Sequence, residues 1–306
     1  MRSKELRHAI ALEEDLARRI DAAPNPSAAR EDVRGAVVAR VGKTVPDDVD
    51  VEPVDAGRVR GEWVASPLDP EARVAVFVHG GAGVFGSPAE SRELAARISR
   101  AAQARVLAVD YRLAPEDPFP AALDDVVAAF RWLVAEGSDP REIAFVGEST
   151  GAALALGAAL MLRDAGDPRP GAVALVSPIT DFTIVGDLAE ADPTGAVGVV
   201  ARNSGLYLGE KPAEDPRVSP ALADLTGLPA LLIQVGTADP GLEQVRGLVE
   251  RARAAGVDVS DFEWEGMIHR WQSYPHIYES VPASNQVGEY LLQRLGPGYV
   301  PVPRAA

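Results

Sequence analysis

The chain has no cysteine, only four histidines, and 30 basic residues against 45 acidic ones, a formal net charge of −15. Without cysteine there is no disulfide, no thiolate nucleophile and no cysteine-ligated metal. The deficit of positive charge argues against a nucleic-acid partner, because neutralising phosphates needs clustered Lys and Arg. The surplus of acid reads as solubilising surface charge. No apolar run is long and pure enough to span a bilayer. The opening stretch, "MRSKELRHAIALEEDLARRIDAA", is charged and amphipathic, with Leu6, Ile10, Leu16 and Ile20 on one helical face, and it lacks the continuous apolar region of a secretory signal. These absences lead to the expectation of a soluble, cytoplasmic protein with no membrane partner. Its 306 residues accommodate one large domain with a small appendage.

What is present is a regular alternation. After two helical stretches that make residues 1–45 a helical appendage, "VDVEPVDA" and "RVRGEWVAS" alternate apolar and polar residues as strands do. From residue 72 onward, the apolar runs "RVAVFVH", "RVLAVD", "EIAFVG", "AVALVSP" and "ALLIQVG" are separated by helical stretches at 89–103, 121–136, 149–165 and 242–255. Nearly continuous apolar strands alternating with helices imply a mostly parallel central sheet covered by helices on both faces. Residues 46–306 form this α/β core. The alternation breaks between Thr183 and Gly227, a gap roughly three times the length at which structureless loops become uncommon. An insertion at about 183–212 is therefore expected to fold as helices over the carboxyl ends of the strands, where ligands bind in such sheets, and to join residues 1–45 as a small cap. The tail "GPGYVPVPRAA" reads as irregular.

Four segments could carry chemistry. "FVGESTGAALALGAAL" places Ser149 between two glycines where a strand runs into a helix, the context that a nucleophile elbow, G-x-S-x-G, requires. A serine hydroxyl needs a base, and the candidates are His8, His79, His269 and His276. His269, in "FEWEGMIHRW" after the last strand, lies in a loop that can deliver an imidazole to the strand ends. Asp239, just beyond "ALLIQVG", can orient it, and the order Ser149, Asp239, His269 is that of an α/β-hydrolase triad, although Asp before Pro-Gly also simply makes turns. "VFVHGGAGVFGS" again follows a strand and can aim backbone N–H groups at an anionic oxygen. Its Gly81-Ala82-Gly83-Val84-Phe85-Gly86 also fits G-x-G-x-x-G, but no acidic residue at a second strand end clearly selects a dinucleotide.

Taken together, "HGGAG", "DYRLAPEDPFPAALDD", "GESTG", "SPITD", the Asp-Pro at 239–240 and "GMIHRW" resemble the hormone-sensitive-lipase family of α/β-hydrolases over residues 73–295. The resemblance implies an α/β-hydrolase fold and a serine esterase that needs no metal and no other cofactor. It implies Ser149 as nucleophile, His269 as general base and acid, Asp239 as its orienter, and the N–H groups of Gly81, Ala82 and Thr150 as the oxyanion hole. His79 then shapes its loop, and Arg112 and Glu116 brace the scaffold. The substrate is expected to be a small-molecule ester or lactone, with a homodimer as one assembly open to the chain. Same-fold acyl transfer, cyclisation or dehydration is the enzymatic alternative, and a ligand-binding receptor is the non-enzymatic one. The departures are Ala82 and Thr150, for which the family has Gly and Ala, and Arg270, where it commonly has Gly. An arginine beside an imidazole that must become cationic is adverse unless neutralised. Arg270 is expected to turn outward to Glu263 or Glu265, the alternative being a place at the pocket rim.

Overall fold

The computed structural model describes residues 3–41, 45–66, 73–192 and 194–296; the tail beyond Gly296 and residues 42–44, at the edge of the expected appendage, lie outside them. Two helices come first, α1 (Lys4–Ala22) and α2 (Pro26–Val41). Ser3 caps α1 by accepting a hydrogen bond from the Leu6 N–H at 3.1 Å. An antiparallel hairpin follows, β1 (Asp50–Ala56) and β2 (Val59–Ala65), and then the alternating part: β3 (Val74–Val78), α3 (Pro88–Ala102), β4 (Arg105–Asp110), α4 (Ala121–Ala135), β5 (Ile143–Glu148), α5 (Gly151–Ala165) and β6 (Ala172–Val176). The interruption holds α6 (Val185–Ala191) and α7 (Ala196–Leu208), after which β7 (Ala230–Gly236), α8 (Leu242–Ala254), β8 (Val259–Trp264) and α9 (Ser280–Arg294) complete the core.

The eight strands form one sheet in the order β1-β2-β4-β3-β5-β6-β7-β8, parallel from β4 onward. Because strand side chains alternate between faces, each apolar run feeds two cores. Val76, Phe145, Leu175 and Ile233 point to one side, where α4, α5 and α8 cover them, while Phe77, Val146, Ala174 and Leu232 point to the other, under α3 and α9. Every one of these side chains is at most 1 % exposed, so the runs read as uninterrupted hydrophobics rather than as alternation. No helix among the described residues is long and apolar enough to cross a membrane.

Topology sets where a ligand can sit. The chain leaves β3 to lay β4 on one side, then returns to lay β5 on the other, so the crevice beyond the carboxyl ends of β3 and β5 is the switch point of the sheet. His79 follows β3 and Ser149 follows β5 there. The register carries this alignment across the sheet: Val78 lies beside Gly147, Glu148 beside Val176, Val176 beside Gln234 and Gly236 beside Trp264.

The glycines flanking Ser149 are a packing requirement. A Cβ on Gly147 would lie 2.6 Å from the Ala152 Cα, and one on Gly151 would lie 2.2 Å from the Val78 carbonyl oxygen and 2.4 Å from that of His79. The start of α5 is thus pressed onto the end of β3. Gly151→Ala should therefore destabilise the protein by roughly 1–3 kcal/mol, the usual cost of overpacking, and lower the thermal midpoint by several degrees. A melting curve unchanged from the native protein would contradict this close approach.

Candidate active site

Ser149 occupies the left-handed region at φ +54°, as a β-strand must to turn abruptly into a helix, and its N–H donates to the Val176 carbonyl at 2.9 Å. Few residues other than glycine tolerate this region, so the strain is held by the surrounding close packing. The turn lifts the hydroxyl above the sheet toward the loop after β8. There Ser149 Oγ lies 2.9 Å from His269 Nε2, and His269 Nδ1 lies 2.9 Å from Asp239 Oδ2. The other carboxylate oxygen of Asp239 accepts the Gly241 N–H at 2.8 Å, which orients the acid. Residues separated by 120 and 30 positions thus form one hydrogen-bonded chain, and all three are at most 5 % exposed.

The carboxylate sets the imidazole's tautomer: Nδ1 donates to Asp239, leaving the Nε2 lone pair for the serine hydroxyl. Burial works against an imidazolium at His269, but the charge and hydrogen bond of Asp239 outweigh it and hold the pKa above the ordinary value of 6.5. His79 has no such partner. Burial pushes it down to about 4, against the pull of the Gly80 carbonyl, so its ring is too weakly basic to take up a proton near neutrality. Its ring stacks on Tyr111, with 4.2 Å between centroids, and its Nδ1 lies 2.8 Å from the Gly80 carbonyl oxygen, which shapes the glycine loop.

The glycine loop modifies the expected oxyanion arrangement. Gly81 lines the cavity beside Ser149, at φ +121°. Gly80, which the sequence did not single out, lies so close that a Cβ on it would be 2.9 Å from the Ser149 Cβ. Ala82 is fully buried, and its N–H donates to the Thr150 hydroxyl at 2.9 Å. The two departures from the family pattern in this region are therefore one feature: the extra hydroxyl of Thr150 takes the N–H that Ala82 was expected to offer. The Gly81 and Thr150 N–H groups make no backbone hydrogen bond among the described residues.

The cavity measures about 500 Å³, and its two halves differ in chemistry. Leu16 and Ile20 of α1, Val33 and Val37 of α2, and Val199 and Val200 of α7 form an apolar wall. Glu13, Glu90, Glu148, Arg270 and Tyr274 form a polar one, with His8 and His276 exposed at the rim. Helices α1 and α7 are joined by Arg202 and Asp21 at 3.0 Å, and α2 is anchored to the core by Arg30, which donates to the Val84 carbonyl at 2.6 Å and pairs with Glu116 at 2.7 Å. Glu116 thus braces α2 against the core, and Arg112 grips Asp125 through two hydrogen bonds of 2.9 Å. No group of three or more His, Asp or Glu among the described residues is arranged to hold a metal.

Arg270 corrects an expectation. It turns neither to Glu263, which is held by Arg246 at 2.7 Å, nor to Glu265. Its guanidinium reaches the cavity, with Nε 3.2 Å from Glu148 Oε1 and a terminal nitrogen 3.8 Å from Glu13 Oε1. Glu13 was missed because it reads as one of three acids in "LEEDL", yet it falls on the same face as Leu6, Ala9 and Ile20 and is 4 % exposed.

Residues 75–273 match the family described as having the alpha/beta hydrolase fold. An acetyl-hydrolase of Streptomyces hygroscopicus is 38% identical over 258 residues, covering 83% of this chain and 85% of its own. A carboxylesterase of Mycobacterium tuberculosis is 32% identical over 234 residues, covering 72% and 73%. Among solved structures, an esterase from the bacterial hormone-sensitive-lipase family superposes with a TM-score of 0.88 at 38% identity, over 97% of this chain and 100% of that one. An esterase/lipase from an uncultured bacterium gives 0.84 at 34% identity, over 96% and 99%. A match of this extent, in sequence and in fold, means that the chain belongs to the hormone-sensitive-lipase-like family of alpha/beta hydrolases.

Proposed function

We propose that this carboxylic ester hydrolase works through an acyl-serine intermediate, with Ser149 as nucleophile, His269 as general base and then acid, and Asp239 as the residue that orients and charges the imidazole. One observation carries the reading: the continuous chain from Ser149 Oγ through His269 to Asp239, with both links at 2.9 Å, at the wall of the cavity. His269 Nε2 takes the hydroxyl proton as Ser149 attacks the ester carbonyl, and the imidazolium returns it to the departing alcohol. Water then enters, gives a proton to His269 as it attacks the acyl carbon, and the imidazolium passes that proton to the Ser149 oxygen as the acid departs. The negative charge on the carbonyl oxygen is received by the N–H groups of Gly81 and Thr150, the latter at the amino end of α5, where the helix dipole favours an anion. Ala82 is left out of the hole, since the Thr150 hydroxyl holds its N–H. The complete relay supports catalysis over binding alone, and the substrate is a small ester or lactone whose apolar part lies against α1, α2 and α7.

Ser149→Ala should lower ester turnover by ~10⁴-fold or more while the melting temperature stays close to that of the native protein, and a fluorophosphonate should label the native protein at Ser149. Retention of most turnover would sink the covalent mechanism. The pH profile supplies a second check. His269 must be neutral to act as base and its pKa is raised, so kcat/KM should rise with pH along a limb centred above 6.5. In Asp239→Asn the main opposition to burial is lost, and the limb, read on the residual activity, should move to lower pH.

A further inference from the structure

The polar wall contains a device that the triad does not use. Two carboxylates from different elements, Glu13 on α1 and Glu148 at the end of β5, have side chains 5 % and 1 % exposed, and they share the guanidinium of Arg270. Each is also joined to the same short segment after His269: the Ser273 hydroxyl donates to Glu148, and the Tyr274 hydroxyl donates to Glu13. Beside these contacts, Leu6 and Ala9 of α1 pack on Met267, Ile268 and Trp271 of the same loop. Arg270 itself sits at φ +58°, with its N–H donating to Ser177 Oγ at 3.1 Å, so its backbone is fixed where a glycine would also fit.

Buried carboxylates are costly unless a cation or several hydrogen bonds compensate them. Glu148, at the end of β5 beside Ser149, cannot move out into bulk solvent without disrupting the elbow. Glu13 can, if α1 lifts. Docking of α1 is therefore tied to Arg270, and α1 carries the apolar side chains Leu12, Leu16 and Ile20 that line the cavity. We infer that the Glu13–Arg270–Glu148 bridge holds α1 at a set distance from His269, making Arg270 a positioning residue that determines how well longer apolar acyl groups are bound. A guanidinium already shared by two carboxylates does not recruit an anionic substrate. This inference rests on the esterase reading of the site, and the test separates the two.

Arg270→Gly, Arg270→Lys, Glu13→Gln and the double variant Glu13→Gln/Arg270→Gly are to be assayed on p-nitrophenyl acetate and hexanoate, with active sites counted by fluorophosphonate labelling. Amide hydrogen exchange over residues 4–22 is measured without substrate. Arg270→Gly should raise KM for hexanoate roughly ten- to hundredfold, the scale of one large apolar side chain leaving the substrate, with a smaller change for acetate. Glu13→Gln should change KM in the same direction, the double variant should be no worse than Arg270→Gly alone, Arg270→Lys should recover part of the loss, and α1 should exchange faster in the glycine variant. Equal losses on both esters, additive effects of the two substitutions, or unchanged exchange in α1 would overturn the bridge. Failure of the native protein to take up the label or to hydrolyse either ester would instead count against the esterase mechanism, while the exchange measurement would still decide the bridge.

Discussion

The site depends on a backbone constraint. Ser149 is held in a left-handed conformation, at φ +54°, between a buried strand and a buried helix. A conformation of this kind costs of order 1–3 kcal/mol, and it persists only where the surroundings over-determine it. Here α5 cannot retreat, because Gly151 is seated on the carbonyls that end β3, and the strand cannot slip, because the Ser149 N–H is bonded to Val176. The same geometry that strains the serine turns its hydroxyl out of the sheet toward His269 and leaves the Thr150 N–H at the mouth of a helix. A residue in relaxed strand or helix geometry would present neither.

Charge is arranged around that turn with equal economy. An acid beside a nucleophile opposes both an alkoxide and an oxyanion, and an arginine beside a general base opposes the imidazolium. Glu148 and Arg270 are placed so that each compensates the other: despite the burial that favours its protonation, the arginine keeps the Glu148 carboxyl below its ordinary pKa. Glu13 adds a second carboxylate from outside the core, so that the charge of Arg270 is compensated from both sides. His269 meanwhile keeps a raised pKa, since Asp239 lies against it in a buried setting. Two neighbouring ionic systems thus share one wall, one linking Asp239 and His269 to Ser149 and the other joining α1 to the histidine loop.

Much of this was legible in the residues. Apolar runs of five to seven residues separated by helical stretches gave away a parallel sheet, because strands covered on both faces need hydrophobic side chains at every position. Glycines on both sides of Ser149 signalled a tight strand-to-helix turn, and the chain order of Ser149, Asp239 and His269 singled out the same three side chains that the structure brings within hydrogen-bonding distance. These signals are local: they depend on the volume and periodicity of neighbours in the chain.

Other features depend on partners distant in sequence. Ala82 and Thr150 are 68 positions apart, and only their meeting across the switch point shows that one occupies the other's N–H. Glu13 reads as surface charge in an acid-rich helix, and Arg270 reads as a solvated loop residue facing nearby acids. Their true partners lie in α1, β5 and the histidine loop, up to 261 positions away in the sequence. The sequence by itself determined the sheet and which side chains stand just beyond its strands, because steric volume and hydrophobic period act at short range. Only the tertiary structure decided which charges compensate one another and which helix closes the pocket, because those choices are made by burial, and burial is a property of the assembled chain.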